Sequence, residues 1–329
     1  MKRTAVLRSS SVEGISEALR LLENNKNFKI NGLYASELMN LRENEPELFD
    51  RVGEMIKTDR WCPFAGVFSP SDELSPTALI KSCLYSASFF ADAFGKTYKV
   101  FHGTKIYNNA FAQIVYSSLF DSAILDEVKE SCWVHGTEDG FRTLVIGTDS
   151  TDVFDCTADI ISESEFLTYE EYADETFSAH LDLQTVFLNA ESETVNDIEL
   201  KLLNAEKSNV YNAAHLESDI KNAWIAYLCG DTEKTRDILS RLDTDFSDIE
   251  KMFTLSGDGI SLSEVKFTED GSRDVIVRTR ETEGREKGAY LMCPRLNAGF
   301  RFEIMPYEIQ TFRIKNDGSG NVTEIYICE

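Results

Sequence analysis

The N-terminal half of the chain alternates between two hydrophobic periods, one typical of helices and one typical of strands. The clearest helix is predicted over residues 75–95, where serine and proline stand at the start and glycine at the end. Short apolar runs at residues 61–68, 99–101 and 141–146 have the aromatic and β-branched content of buried strands. This alternation predicts an α/β domain over residues 1–160, with a mainly parallel sheet that forms part of a β/α barrel.

The hydrophobic period changes twice further along the chain. Residues 161–254 show mostly helical spacing, with a strand signal only around residues 181–188, and are predicted to form a helical middle segment. Over residues 255–329 the period becomes two, and pairs of glycine and aspartate separate the alternating runs. That last part is predicted to be a small antiparallel β domain.

The net charge of the chain argues against some classes of binding partner. The 329 residues include 33 Lys and Arg against 57 Asp and Glu, which gives a net charge of −24. A field of this sign repels nucleic acids and anionic lipids, and the sequence has no basic stripe that would overcome it. No apolar run approaches the ~18 residues of a membrane span. We therefore predict no nucleic-acid partner and no membrane partner.

The seven cysteines are odd in number, scattered, and never spaced as CxxC. This pattern disfavours a disulfide framework or a zinc ribbon. The first residues also lack the apolar core of a secretion signal. Reduced thiols and a cytoplasmic location are the expectation.

Three segments carry long and specific motifs. Residues 45–52 are EPELFDRV, residues 60–66 are RWCPFAG and residues 305–313 are MPYEIQTFR. They resemble, in the same order, the yPELFeRv helix, the GRWEPVGG strand and the closing xPfEIkTlRl strand of the α-mannosidases of glycoside hydrolase family 38. Residues 133–144 are similar to a fourth motif of that family, fxWeGxDGsRvL. The resemblance touches most of the chain, although family members are much longer and most of their large β-sandwich has no counterpart here.

The resemblance implies a particular chemistry. The family hydrolyses glycosides with retention, by a carboxylate nucleophile and a carboxylic acid that stand about 5 Å apart. It also holds a zinc ion with two histidines and two aspartates, and the ion grips the sugar hydroxyls.

The positions that should carry this chemistry are substituted. The family's first zinc motif, HxD, aligns with Arg8, Ser9 and Ser10, and its last, nQFHD, aligns with residues 224–231, which contain no histidine. The nucleophile position aligns with Gly103, and a glycine cannot attack a sugar. The alignment therefore predicts no catalytic residue, no metal site and loss of the family zinc.

Three residues remain as candidates for sugar binding. Asp72 is the retained polar residue of the family's sugar-facing segment, although it also suits a turn before the helix at 75–95. Phe68 stands where the family has tryptophan and either stacks on a sugar or fills the core. His102 follows a strand beside Gly103, and serves either as a base or sugar contact or as a histidine that holds a loop.

Three functions stay open at this point. The leading hypothesis is a catalytically inactive α-mannosidase-like protein that binds a mannose-type carbohydrate or a protein partner. The second is an active glycoside hydrolase that uses relocated residues such as Asp72 or His102. The third is a structural subunit or gene remnant that needs a partner, either another protein or a second copy of the chain, to cover apolar surface left by the missing sandwich.

Overall fold

The computed structural model describes residues 2–70, 74–105, 110–117, 120–135, 142–148, 150–176, 185–187, 195–242 and 252–327. The N-terminal region begins with alternating strands and helices. These are β1 (Lys2–Val6), α1 (Val12–Asn24), β2 (Ile30–Tyr34), α2 (Ala35–Asn44), α3 (Pro46–Lys57), β3 (Trp61–Phe64), α4 (Pro76–Phe94), β4 (Val100–Gly103), α5 (Phe111–Ser117) and β5 (Ser122–Leu125). The α/β alternation predicted from the sequence is confirmed.

The chain then adds shorter elements before the helical segment. They are β6 (Cys132–His135), β7 (Arg142–Ile146), β8 (Ser150–Asp152), α6 (Ala158–Glu163), β9 (Glu165–Phe166), α7 (Tyr169–Thr176) and β10 (Thr185–Phe187). Strands β8 and β9 both pair with β1, and β10 pairs with β6. Strand β9 thus belongs to the N-terminal sheets although it lies in the stretch predicted to be helical, because a strand of two residues carries too little alternation to be recognised. Strand β10 lies within the strand signal predicted around residues 181–188.

Helix α4 shows how closely local sequence fixes an element. The Ser75 hydroxyl accepts a hydrogen bond from the Ala78 N–H, and Pro76 occupies the first helical position. Gly95 ends the helix in the left-handed region at φ 66°. These are the start and end predicted from the sequence.

The N-terminal region contains two five-stranded, mainly parallel sheets, which lie edge to edge. One contains β3, β2 and β1 in that order, with β8 and β9 on β1, and the other runs β10-β6-β7-β5-β4. Among the strand pairs that the described residues form in these two sheets, β6–β7 is antiparallel and the others are parallel. The sheets meet where Gly66, just past β3, forms a parallel bridge with His102 of β4. This arrangement is a curved, barrel-like sheet whose strands β1–β5 all point the same way.

Gly66 allows this junction because it has no side chain. It lies at φ +111°, and a Cβ atom there would stand 2.6 Å from the Phe101 ring and 2.9 Å from the His102 carbonyl oxygen. The His102 N–H donates to the Ala65 carbonyl at 2.5 Å. The end of β4, and with it the His102 side chain, is therefore held directly against the end of β3.

The second half of the chain has helices followed by antiparallel sheets. The helices are α8 (Asp197–Asn212), α9 (Glu217–Leu228) and α10 (Thr232–Arg241). The strands are β11 (Thr254–Ser256), β12 (Ile260–Phe267), β13 (Val275–Glu281), β14 (Lys287–Cys293), β15 (Ala298–Ile304), β16 (Ile309–Ile314) and β17 (Val322–Ile325), in the sheets β11-β14-β15 and β12-β13-β16-β17. The predicted fold class, α/β followed by helices and antiparallel β, is confirmed, whereas the exact division at residues 160 and 254 stays a prediction.

The buried hydrophobic side chains form two clusters, and the first of them includes residues of more than one of these regions. One cluster of buried side chains joins the N-terminal sheets and their helices to Trp224 of α9, and a second lies within the antiparallel sheets. Among the described residues, no helix is both long and apolar enough to cross a membrane.

Candidate functional site

Strands β1–β5 end at one edge of the sheet, where parallel α/β folds place their ligands. We call this the carboxyl edge and define it by Arg8, Glu37, His102, Gly103 and Asp126. Arg8 follows β1, Glu37 lies in the first turn after β2, and Asp126 follows β5 directly. The Asp126 N–H donates to the Gly103 carbonyl oxygen at 3.1 Å, so the ends of β4 and β5 lie side by side.

His102 is the residue around which the carboxyl edge is packed. Its side chain is only 2% exposed and lies against three aromatic rings. The Phe64 ring is nearly parallel to the imidazole with centroids 3.7 Å apart, and the Tyr169 ring is nearly parallel to it at 5.6 Å. The Tyr34 ring is tilted against it at 5.7 Å. These contacts fix the plane of the imidazole and direct it at the next strand.

The imidazole meets the carboxylate of Asp126. Nε2 of His102 lies 3.4 Å from Oδ1 of Asp126, which is an ion-pair distance rather than that of a well-formed hydrogen bond. Burial lowers the pKa of His102 below its ordinary value, and Asp126 offsets this only in part. Burial therefore favours the neutral imidazole over the imidazolium form.

Asp126 is the charged member of the pair. Burial raises its pKa, but the contact with His102 and the positive charges of Arg8 and Lys129 outweigh burial and hold the pKa below its usual value. The side chain remains 36% exposed, so its carboxylate reaches solvent. Arg8 is oriented beside it by a hydrogen bond from Nη2 to the Ser150 hydroxyl at 3.3 Å. The carboxyl edge thus presents an ionised carboxylate next to a guanidinium group.

This pair predicts a pH dependence of stability. Because the pKa of His102 is lower in the folded chain, the unfolded chain binds the extra proton first, so stability is lost as pH falls below about 6.5. We expect the free energy of unfolding of His102→Phe to fall less steeply with falling pH, by up to about 1.4 kcal/mol per pH unit. Urea unfolding curves measured at several pH values across that range test this. Parallel curves for His102→Phe and the unchanged protein would contradict the assignment.

The three residues predicted from the sequence to bind a sugar lie in different places. His102 lies at the carboxyl edge as expected, beside Gly103. Phe68 does not: its side chain is 1% exposed in the hydrophobic core and its N–H donates to the Ser82 hydroxyl at 2.6 Å. The ring is therefore closed to a sugar, and the core alternative for this residue is the one the structure supports. Asp72 lies outside the described residues.

The side chains at the family's first zinc motif do not suit a metal ion. Arg8 carries a positive charge, which repels a cation. The Ser11 hydroxyl caps α1 by accepting from the Gly14 N–H, and the Ser9 hydroxyl donates to Ser11. In the part of the chain that the structure describes, no three His, Cys, Asp or Glu side chains stand together as metal ligands. The residues present here do not fit the zinc of the family.

Asp126 and Tyr169 were not among the residues predicted from the sequence. A signal for Asp126 was available, because an aspartate directly after a buried strand of a parallel sheet stands at the ligand-binding edge. Tyr169 had no such signal. It begins α7, and its position under the carboxyl edge depends on a hydrogen bond from its N–H to the Asn31 side chain at 2.6 Å, far away in sequence.

Comparison with known proteins supports the fold but gives no close relative. No model of a protein family matches the sequence, and no curated protein matches it. Among solved structures, a protein in glycosyl hydrolase family 38 from Enterococcus faecalis is similar with a TM-score of 0.56 and 11% identity, over 85% of this chain and 44% of its own. An alpha-mannosidase from Enterococcus faecalis V583 gives a TM-score of 0.54 and 11% identity, over 85% of this chain and 46% of its own.

The chain therefore spans less than half the length of either structure. At this identity the likeness concerns the fold rather than the activity. The resemblance carried by the sequence motifs is confirmed at that level: over most of its length, this chain has the fold of glycoside hydrolase family 38 structures, as a distant and shorter version of them.

Proposed function

We propose that the carboxyl edge binds a mannose-type carbohydrate without hydrolysing it. One observation carries the proposal. The edge has a solvent-reaching carboxylate and a guanidinium group, at Asp126 and Arg8, whereas the position of the family's nucleophile is Gly103. The groups that bind a polar ligand are therefore present where the groups that cleave it are substituted.

The chemistry of the edge suits sugar hydroxyls. An ionised carboxylate accepts hydrogen bonds from two neighbouring hydroxyl groups, and a guanidinium group donates in a fixed plane. Asp126 is held for this by His102, which is itself clamped between rings. A site whose side chains are already oriented loses little entropy on binding, so weak individual contacts add up to a useful affinity.

Hydrolysis would need more than the edge provides. A retaining mechanism requires a nucleophilic carboxylate and an acid about 5 Å apart across the sugar bond. Gly103 has no side chain, and the loss of one member of a catalytic unit removes most of its rate. The neutral His102 beside Asp126 positions that carboxylate and is too deeply buried to reach a sugar itself.

One observation favours the relocated hydrolase as a second candidate. The carboxyl edge holds two carboxyl groups whose pKa values are displaced in opposite directions, a pattern typical of acid and base pairs. Burial raises the pKa of Glu37, against hydrogen bonds from the Tyr34 N–H and Ser10. The pKa of Asp126 is lowered. In this alternative Glu37 is the proton donor and Asp126 the nucleophile.

Turnover of 4-nitrophenyl α-D-mannopyranoside separates the two functions. Nitrophenolate release is measured for the unchanged protein, Asp126→Asn and Glu37→Gln, with and without added zinc. We expect all samples to match the buffer rate, because Gly103 stands at the position of the family's nucleophile and the loss of one member of a catalytic unit removes most of its rate. Activity that is equal in all three proteins indicates a contaminating enzyme. Activity that both substitutions abolish would contradict the proposal and establish the hydrolase.

A further inference from the structure

A second cavity lies away from the carboxyl edge, between the helices and the antiparallel sheets. It has a volume of about 560 Å³ and is lined by residues of α4, α8 and α9, by the end of β12 and by the turn that follows. This volume falls in the range of small-molecule sites, roughly 300–1,000 Å³. None of the residues that define the carboxyl edge lines it.

The carboxylate of Glu206, in α8, is a buried polar group in the cavity wall. The residue is 5% exposed. Its Oε1 atom accepts from the Trp224 indole N–H at 3.1 Å and contacts the Lys81 ammonium. Its Oε2 atom has no hydrogen-bond partner among the described residues. A buried carboxylate oxygen without a donor costs free energy, so the cavity offers a strong acceptor to any ligand that carries a donor.

Arg273, after the turn that follows β12, supplies a hydrogen-bond donor to the same cavity wall. Its guanidinium group lies over the Phe267 ring, 4.1 Å from the centroid, and Nη1 pairs with Glu217 at 2.8 Å. The buried Nη2 atom has no hydrogen-bond partner within the described part of the chain. The cavity wall therefore contains an unsatisfied donor as well as an unsatisfied acceptor.

The charges around the cavity decide which ligand suits both groups. Lys266 pairs with Glu269 at 3.0 Å, and Arg273 pairs with Glu217. Glu206 belongs to a buried group of two acids and two bases, which are Glu206, Glu264, Lys81 and Arg278. Lys221 lies over the Tyr85 ring, 5.4 Å from the centroid, and no described carboxylate is within ion-pair distance of it. One positive charge is thus left over.

We propose that this cavity binds a small polyhydroxylated anion, of the sugar-acid or sugar-phosphate class. A ligand hydroxyl donates to Oε2 of Glu206, and the anionic group accepts from Nη2 of Arg273 and from Lys221. A cationic ligand would add to the surplus positive charge, and a simple anion would leave Glu206 without its donor. The aromatic faces of Tyr85 and Phe267 are covered by cations, so recognition here depends on polar groups rather than on stacking.

The proposal is tested with D-gluconate and D-glucose 6-phosphate, which represent the two sources of the anionic group. Saturation-transfer NMR titrations of the full chain are compared with D-glucose, acetate and inorganic phosphate. We expect at least one hydroxylated anion to bind saturably in the millimolar range, and all three simple probes to bind at least about tenfold more weakly, since each lacks one charge-assisted contact. The tighter of the two anions identifies the source.

Matched variants locate the binding. Lys221→Gln removes the surplus charge, whereas Lys234→Gln removes an exposed lysine of α10 outside the cavity. Ser88→Phe fills part of the cavity, whereas Ala87→Phe adds the same ring at a neighbouring exposed position on α4. The first variant of each pair should weaken binding about tenfold and the second less than about twofold. Absence of saturable binding, equal binding of glucose, or equal affinity within both pairs would overturn the proposal.

Discussion

Replacement of Lys81 by methionine should lower the free energy of unfolding by about 3–5 kcal/mol. Lys81 lies on α4 with its side chain fully buried, and its ammonium group contacts both Glu206 of α8 and Glu264 of β12. Arg278 of β13 pairs with the other oxygen of Glu264 and donates to the Thr311 hydroxyl at 3.2 Å. These four charged groups join the α/β region, the helices and the antiparallel sheets.

The size of the effect follows from the charge balance. The intact group has two acids and two bases, and the methionine leaves one negative charge in the interior without a counter-charge. A buried charge that loses its partner is far more costly than the pair was worth. The double variant Lys81→Met with Glu206→Gln restores the balance, because Glu264 keeps Arg278. We expect it to be more stable than Lys81→Met alone.

Urea unfolding of the single and double variants measures this directly. The control is Lys57→Met on α3, where the lysine is 52% exposed and pairs with Glu54 at 3.2 Å. An exposed pair of this kind contributes little, so the control should change stability by less than about 1 kcal/mol. Equal loss in Lys81→Met and Lys57→Met, or a double variant that is less stable than the single one, would contradict the role assigned to the buried group.

Much of the fold was predictable because long elements carry repeated signals. Helix α4 has a cap, a proline at its first position and a terminal glycine, and all three act as the sequence predicts. Strands β8 and β9 were not found, since they have only two or three residues and depend on pairing with β1, whereas β10 lies within the strand signal predicted around residues 181–188. The ion pairs of Lys81 could not be predicted either, because a lysine on an apolar helix face gives no indication of its distant partners.

The candidate site was only partly predictable for the same reason. The sequence located His102 and the substituted position Gly103, which follow from motif order. It did not show that Asp126 stands beside His102, because that contact depends on how β4 and β5 pair. The predicted protein partner or homo-oligomer and the cytoplasmic location remain predictions.

Asp126→Asn should weaken binding of α-mannosides by about tenfold to a hundredfold. The substitution keeps the size of the side chain but removes the negative charge, and a hydrogen bond to a charged group contributes roughly 1.5–3 kcal/mol. It also removes the carboxylate that contacts the His102 imidazole, so the side chain at residue 126 loses its fixed orientation. Both effects weaken ligand binding, because the Asp126 carboxylate is the part of the His102–Asp126 pair that reaches solvent.

The matched control is Asp121→Asn. Asp121 directly precedes β5, at the opposite end of the strand that Asp126 follows, and its side chain is 65% exposed. The two substitutions remove the same charge from the same protein, about one strand length apart. A general electrostatic effect of the net charge would act on both, whereas a sugar site at the carboxyl edge is affected only by Asp126→Asn.

The most direct test of the account is an NMR titration with methyl α-D-mannopyranoside that follows the imidazole signals of His102. We expect a saturable shift of these signals in the unchanged protein and in Asp121→Asn, and little or none in Asp126→Asn at the same sugar concentrations. If the His102 signals do not move in any of the three proteins, or move equally in all of them, the carboxyl edge is not a site for this sugar and the proposed function is wrong.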